Sequence, residues 1–408
     1  MKKIAIVFPQ FTVMGGAQRY ILALADFFSG RGYSVKIYTI YFSPLFSEYV
    51  SKEIELITLF KNPLGRFFKN TLNPLYLIYM WRLSRKISDY DVLLTSIWPS
   101  VTIGFLTSKF YFNKVLLNIC FEPNYLLHRY EPIPSTTLDF SHRSILAKFG
   151  FFLMTPVLLL MSAFDKASMG LQTNILTLSK FVKKQVEDVY GISISKKTLP
   201  ILFDYVDFNN FYFKEMNYVH VRSKYGVNDN KRILFSVSRL EKTKKIDVII
   251  EAINRLKDSE SNILLLIGGV GSFRKTLERK VNELNLSKNV IFLGYLNDED
   301  LLEVYNFSDI FIYAGNVETS GPLTILEAMA CKTPVICAAS GGPLEIISGG
   351  YNGLFFEVDN SEDLCLKIEE LLNKNISEVI AANGYGYCLE NHGIQKLGRV
   401  MTNLIEAD

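Results

Sequence analysis

The chain has 408 residues, 49% of them hydrophobic and 21% charged, with a formal net charge of +3. One hydrophobic core stops growing at about 250–300 residues, so two domains are expected. The mild charge excludes a strongly basic nucleic-acid binder, and the hydrophobic fraction excludes a disordered or fibrous chain.

The opening MKKIAIVFPQ becomes a strand at once. It lacks the apolar core and small-residue cleavage site of a secretory leader, so a cytoplasmic protein is expected. Gly15 and Gly16 follow, ahead of a helical stripe of Ala17, Ile21, Leu24 and Phe28. They make either a turn with exposed amides or a plain strand-to-helix connection. The segment is not GxGxxG, and no acid ends the second strand, VKIYTI, where a dinucleotide ribose needs one.

Strand-like runs at 3–8, 35–40, 91–96, 114–119 and 175–179 alternate with helical patterns. Residues 64–86 mix Phe, Tyr and Trp with Lys and Arg and hold no acid. That composition fits a core helix with a basic rim, or a segment lying on an anionic membrane. The apolar run 150–164 contains Pro156 and falls short of the ~20 residues that span a bilayer, so it reads as a buried or interfacial helix. Residues 204–224, polar and poorly periodic, are expected to link the domains.

A second series of strands runs through 232–238, 262–268, 289–294, 309–314, 334–339 and 353–358. Near-continuous apolar strands separated by helices imply parallel sheets covered on both faces, hence two doubly wound α/β domains. Ligands of such folds bind at the carboxyl ends of the strands, and three loops there carry chemistry. The first holds Arg239 and Lys244, a planar fork and a point charge suited to diphosphate oxygens, although a basic loop taken alone is merely solvated. The second, IGGVGS, offers Gly268 and Gly271, which either wrap a nucleotide or simply turn. The third spans 318–345. Pro322 suits a first helical turn, so a helix is expected to start near Gly321-Pro322 with Leu323, Leu326 and Ala330 as its apolar stripe. Its early amides, around Leu323 and Thr324, favour an anion. Glu318 and Glu327 accept hydrogen bonds only and suit hydroxyls, so a nucleotide carrying a sugar is the expected ligand.

Asp298-Glu299-Asp300 has the letters of a metal-binding acid pair but precedes a helix, where acids stabilise the N-terminal dipole. Five cysteines form no CxxC pair. The four histidines, His128, His142, His220 and His392, are scattered and read as structural or exposed. No metal site is expected.

The succession GGAQRYILALADFFSGRGYSV, LSKFVKKQVEDVYG, VSRLEKTKKIDVIIEAI, LLLIGGVGSFRKTLE, VIFLGYL, LLEVYNFSDIFIYAG, LEAMACKTPVICAASGGPLEII and NGLFF resembles the retaining GT-B glycosyltransferases of glycosyltransferase family 4. The resemblance implies a GT-B fold, two Rossmann-like domains with parallel sheets facing a central cleft. An acceptor domain would cover 1–205, a nucleotide-sugar domain 206–385, and a C-terminal helix in 386–408 would cross back to the first. It implies that Arg239 and Lys244 contact the donor diphosphate, that Gly15 and Gly16 face it, and that Glu327 contacts the ribose. Glu318 would lie at the transferred sugar. The family spaces its two glutamates eight apart, whereas Glu318 and Glu327 are nine apart, and ungapped alignment puts Thr319 in the earlier place. The family's N-terminal histidine has no counterpart, and Glu122 is the acceptor-side candidate, read otherwise as an ordinary loop carboxylate.

The implied activity is a metal- and cofactor-independent hexosyltransferase using a GDP- or UDP-hexose. Its acceptor would be a glycan or lipid-linked hydroxyl, with peripheral contact at the inner face of the cell membrane. Two alternatives stay open: another GT-B activity such as an epimerase or phosphorylase, and an inactive GT-B scaffold that binds membranes or partner transferases.

Overall fold

The computed structural model describes residues 2–12, 15–60, 75–96, 100–108, 115–121, 123, 145–170, 172, 174–191, 201–202, 204–215, 218–227, 231–257, 260, 262–316 and 321–406. Glu122, Glu318, Thr319, His128 and His142 lie outside the described residues. The chain divides into two compact units, residues 1–203 with 394–408, and residues 204–393.

In the first unit, β1 (Lys3–Val7), β2 (Gln10–Phe11), β3 (Ser34–Phe42), β4 (Glu55–Phe60), β5 (Val92–Thr95), β6 (Val115–Cys120) and β7 (Asn174–Thr177) form one parallel sheet. Its order is β4-β3-β1-β5-β6-β7, with β2 resuming the line of β1 along β3. Both faces are covered, so Ile4 through Val7 are all buried. β4 was not expected from the sequence. It is a partly exposed edge strand that opens on a charge, and Glu55 pairs with Lys36 of β3 at 2.7 Å.

Gly15 stands extended before the Gly16–Ser29 helix, which buries Tyr20, Ile21, Leu24 and Phe28. Against it lies the Ile394–Glu406 helix, whose buried Leu397, Met401 and Ile405 recur every four residues. Lys2 Nζ donates to the Ile405 carbonyl at 2.7 Å, and Tyr33 Oη to Glu406 Oε1 at 2.8 Å. The tight point is Gly398, where a Cβ would stand 2.1 Å from the Phe27 ring. The Ile145–Gly170 helix runs on through Pro156. No helix among the described residues is long and apolar enough to cross a membrane.

In the second unit, β8 (Arg232–Val237), β9 (Ile263–Gly268), β10 (Val290–Gly294), β11 (Ile310–Tyr313), β12 (Val335–Ala338) and β13 (Leu354–Phe356) form a parallel sheet ordered β10-β9-β8-β11-β12-β13. This is the doubly wound 3-2-1-4-5-6 order, and all six strands match the sequence expectation. The Ile246–Leu256 helix turns Ile246, Ile249, Ile250, Ile253 and Leu256 into the core.

Residues 204–224 differ from the expected linker: they belong to the second unit. Phe211 is buried with its ring 6.1 Å from Tyr305, and Lys214 N donates to Asn306 Oδ1 at 2.8 Å. Burying aromatic side chains outweighs the lack of periodicity. At the far end of this unit His392 is buried, with Nδ1 2.6 Å from the Asp204 carbonyl, while Val206 N donates to the His392 carbonyl at 2.8 Å. His392 is therefore structural.

The Gly398–Phe27 contact yields a prediction. Gly398→Val overpacks it and is expected to cost about 1–3 kcal/mol, read as a lower denaturation midpoint. An unchanged midpoint would mean that the last helix is not seated on Phe27.

Candidate active site

Strand order reverses between β8 and β11, so the loops leaving their carboxyl ends diverge and open a crevice. The β8 loop brings Lys244 to it through a short 3-10 turn, Lys242–Lys244, closed by Lys244 N donating to the Glu241 carbonyl at 3.0 Å. Lys245 follows at φ 53, a left-handed residue from which the next helix departs. Lys244 Nζ lies 3.1 Å from Tyr313 Oη at the end of β11 and 5.7 Å from that ring's centroid. Asn316 N donates to the Thr243 carbonyl at 3.4 Å, and Ser340 Oγ to the Asn316 carbonyl at 3.0 Å, so loops after β8, β11 and β12 are joined. Arg239 is exposed, with Nη1 2.8 Å from Glu241 Oε1. Such a surface pair is worth about 0–1 kcal/mol, weak enough for a polyanion to replace it.

The glycines after β9 approach this loop closely. Gly269 has φ +111, and a Cβ there would stand 1.9 Å from the Ser238 carbonyl oxygen. A Cβ on Gly271 would stand 2.3 Å from the Leu240 carbonyl oxygen, and one on Gly268 2.9 Å from Val237 and Leu296. Between the two loops, Leu240 N donates to the Val270 carbonyl at 3.0 Å and Phe273 N to the Leu240 carbonyl at 2.9 Å. The glycines thus set the height of the segment carrying Arg239. Gly269, part of the IGGVGS run but not one of its named candidates, is the most constrained of them; its positive φ and its crowding depend on the fold.

Beyond β11, the helix spans Leu323–Ala330. Pro322 is its cap residue, with extended ψ 127, rather than a member of the first turn. No side chain among the described residues caps this start, and Ile325 N donates to the Pro322 carbonyl at 3.0 Å. Gly321 permits contact with the next turn: a Cβ there would meet Ile346 Cδ1 at 1.8 Å. Thr324 Oγ1 and Asn316 Oδ1 are buried without a hydrogen-bond partner among the described residues. Buried polar atoms are nearly always paired, so two orphans near one strand edge call for a polar ligand or water. Nothing in the sequence marked Asn316, whose burial arises only when the three loops meet.

Glu327, one turn along, is buried and accepts a 2.8 Å hydrogen bond from Tyr305 Oη at Oε2. Tyr305 is fully buried among the rings of Phe235, Phe311 and Phe211. The Tyr305 hydrogen bond fixes the orientation of this carboxylate, an acceptor-only group.

The Asp298–Phe307 helix begins on Asn297, whose Oδ1 accepts from Asp300 N at 2.8 Å. Asp300 pairs with Lys224 at 2.8 Å, so this triplet serves the helix start as expected. Burial pushes the thiols of Cys331, Cys337 and Cys388 well up, which keeps them protonated and unreactive.

A family model described as glycosyl transferases group 1 matches residues 220–387. The alpha-monoglucosyldiacylglycerol synthase of Streptococcus pneumoniae is 30% identical over 169 residues, 41% of this chain and 37% of that protein. The chain spans 33–59% of the length of three other curated relatives. Sucrose-phosphate synthase from Thermosynechococcus elongatus superposes with a TM-score of 0.77 at 18% identity, covering 100% of this chain and 99% of that one. The HepE protein of Anabaena, solved in complex with UDP, gives 0.74 at 17% identity with 100% of both chains covered. At these identities the structural likeness shows the fold, and that fold is GT-B.

Gly269→Ala is expected to destabilise the second unit by about 2 kcal/mol or more, since it adds positive-φ strain to a backbone clash. Thermal unfolding checks it. Wild-type stability would mean that the two loops do not touch.

Proposed function

We propose that this chain, whose residues 220–387 match the glycosyl transferases group 1 family model, moves a hexosyl group from a UDP- or GDP-hexose to an acceptor hydroxyl with retention at the anomeric carbon. The observation that carries the reading is the β8–β11 strand edge. It holds Lys244, two buried polar atoms and a helix start that have no partner or cap among the described residues, with Arg239 on the adjoining loop. Those groups suit a diphosphate, and Glu327 suits a sugar hydroxyl such as that of the ribose. The UDP held by the Anabaena protein supports a nucleotide ligand.

In the transfer, the bond from the anomeric carbon to the diphosphate oxygen breaks while the acceptor oxygen bonds the same carbon from the same face. The acceptor proton passes to a leaving phosphate oxygen, so no separate protein base is required. Charge grows on the departing diphosphate. Arg239, Lys244 and the amides at Leu323 and Thr324 stabilise it more in the transition state than in the bound donor, which is the condition for a faster chemical step. These groups supply the positive charge that a metal supplies elsewhere, so neither metal nor cofactor is needed. Glu318 is assigned to the sugar hydroxyls and Glu122 to the acceptor side. The name of the pneumococcal relative, a glucosyldiacylglycerol synthase, supports a lipid-linked acceptor. A cytoplasmic enzyme in peripheral contact with the inner face of the cell membrane follows from that.

The deciding experiment is a thermal-shift screen of nucleoside diphosphates and their hexoses, since a ligand at 100 times its Kd adds about 2.7 kcal/mol to the folded state. One base is expected to raise the melting temperature, and Glu327→Gln to weaken that effect. Silence across UDP and GDP would sink the donor assignment. Given a donor, Arg239→Ala and Lys244→Ala should each lower turnover by about 10²–10³, with chelator leaving it unchanged. A loss confined to KM would remove both residues from transition-state stabilisation.

A further inference from the structure

From Pro156 onward, the outward face of the Ile145–Gly170 helix is apolar. Leu159 is 61% exposed, Leu160 51% and Phe164 41%, and Pro156 and Ala163 are exposed beside them. The opposite side is buried through Met161, Asp165, Ser168 and Met169. A helix on the surface of a water-soluble domain turns charged residues outward, whereas this one shows a single charge, Lys166, over the same stretch. Its one acid, Asp165, is buried and accepts from Tyr190 Oη at 2.9 Å.

The Leu75–Ser84 helix repeats the pattern. Ile78 is 52% exposed and Trp81 51%, followed by exposed Arg82, Arg85 and Lys86. The Arg85 guanidinium stands 5.0 Å from the Trp81 ring. Both helices send their inner residues, Tyr79, Leu83 and Met161, into one core cluster that also holds Ile103. They therefore belong to one layer of the first unit.

We propose that the outward faces of these two helices rest in the plane of an anionic lipid bilayer. The inference deepens the peripheral-membrane reading above by naming the surface. Charge is what favours an anionic leaflet: the exposed charges on the described parts of these segments, residues 78–86 and 156–168, are all basic. A tryptophan under an arginine sets an amphipathic ring and a guanidinium at headgroup depth, with aliphatic side chains reaching below. Basic residues near an anionic leaflet add a salt-sensitive attraction.

The test is co-sedimentation of the full chain with vesicles of equal phosphatidylcholine and phosphatidylglycerol, against phosphatidylcholine alone. The wild type is expected to bind the anionic vesicles at about 50 mM salt and to weaken at about 300 mM. The double variant Leu160→Glu, Phe164→Glu changes only exposed positions, so it is expected to keep the wild-type melting temperature while losing at least tenfold in vesicle affinity. No binding by the wild type, or equal binding by the variant, overturns the proposal. So does a wild-type dimer in light scattering that the variant splits, because the face would then belong to a second copy. Nucleotide stabilisation is measured separately, so failure of the donor assignment and failure of this surface are told apart.

Discussion

The candidate site depends on two backbones lying closer together than side chains allow. Residues 238–240, leaving β8, run against residues 268–271, leaving β9, and exchange main-chain hydrogen bonds where a Cβ at Gly269 or Gly271 would meet a carbonyl oxygen. Without that approach the β8 loop has no fixed height, and Arg239 and Lys244 lose their common base. The second anchor is lateral: Lys244 reaches Tyr313, and Asn316 joins the β8 and β12 loops. A lysine held by a neighbouring strand end loses less freedom when it meets an anion, and less lost freedom favours binding.

The same sheet edge reconciles opposite charges. A helix start and two cations attract phosphate, yet Glu327 sits one turn into that helix, where a bare buried carboxylate would be costly. Tyr305 answers this with a hydrogen bond from within an aromatic cluster, giving the carboxylate a fixed partner and orientation. Positive groups therefore lie on the loops and at the helix tip, while the acid is held deeper. That separation is what a ligand with a diphosphate at one end and hydroxyls at the other would require.

The first unit distributes its apolar surface differently. Its last helix is sealed onto the Gly16–Ser29 helix because Gly398 has no side chain to hold Phe27 away. The outward faces of the Leu75–Ser84 and Ile145–Gly170 helices keep large apolar residues in the open beside basic ones. Sealing one apolar surface and exposing another within a single unit is the arrangement that the proposed bilayer contact requires.

The residues alone determined the two parallel sheets. Runs such as ILF (233–235) and ILLLI (263–267) are apolar at consecutive positions, and a strand covered on both faces accepts that. They also determined the Ile246–Leu256 helix, the helix-start role of Asp298 to Asp300, and the family resemblance carried by Arg239, Lys244 and Glu327. The edge strand β4 and the packing of Tyr205 and Phe211 escaped because half-exposed or irregular elements carry no period to read. The cap position of Pro322 escaped because a φ near −60° serves an extended residue and a helical one alike. Only the tertiary structure decided the Tyr305–Glu327 bond, the burial of Asn316 and the closeness of Gly269 to Ser238. Each joins residues from different strand ends, and which ends meet follows from the strand order, a property of the whole sheet that no local stretch of sequence contains.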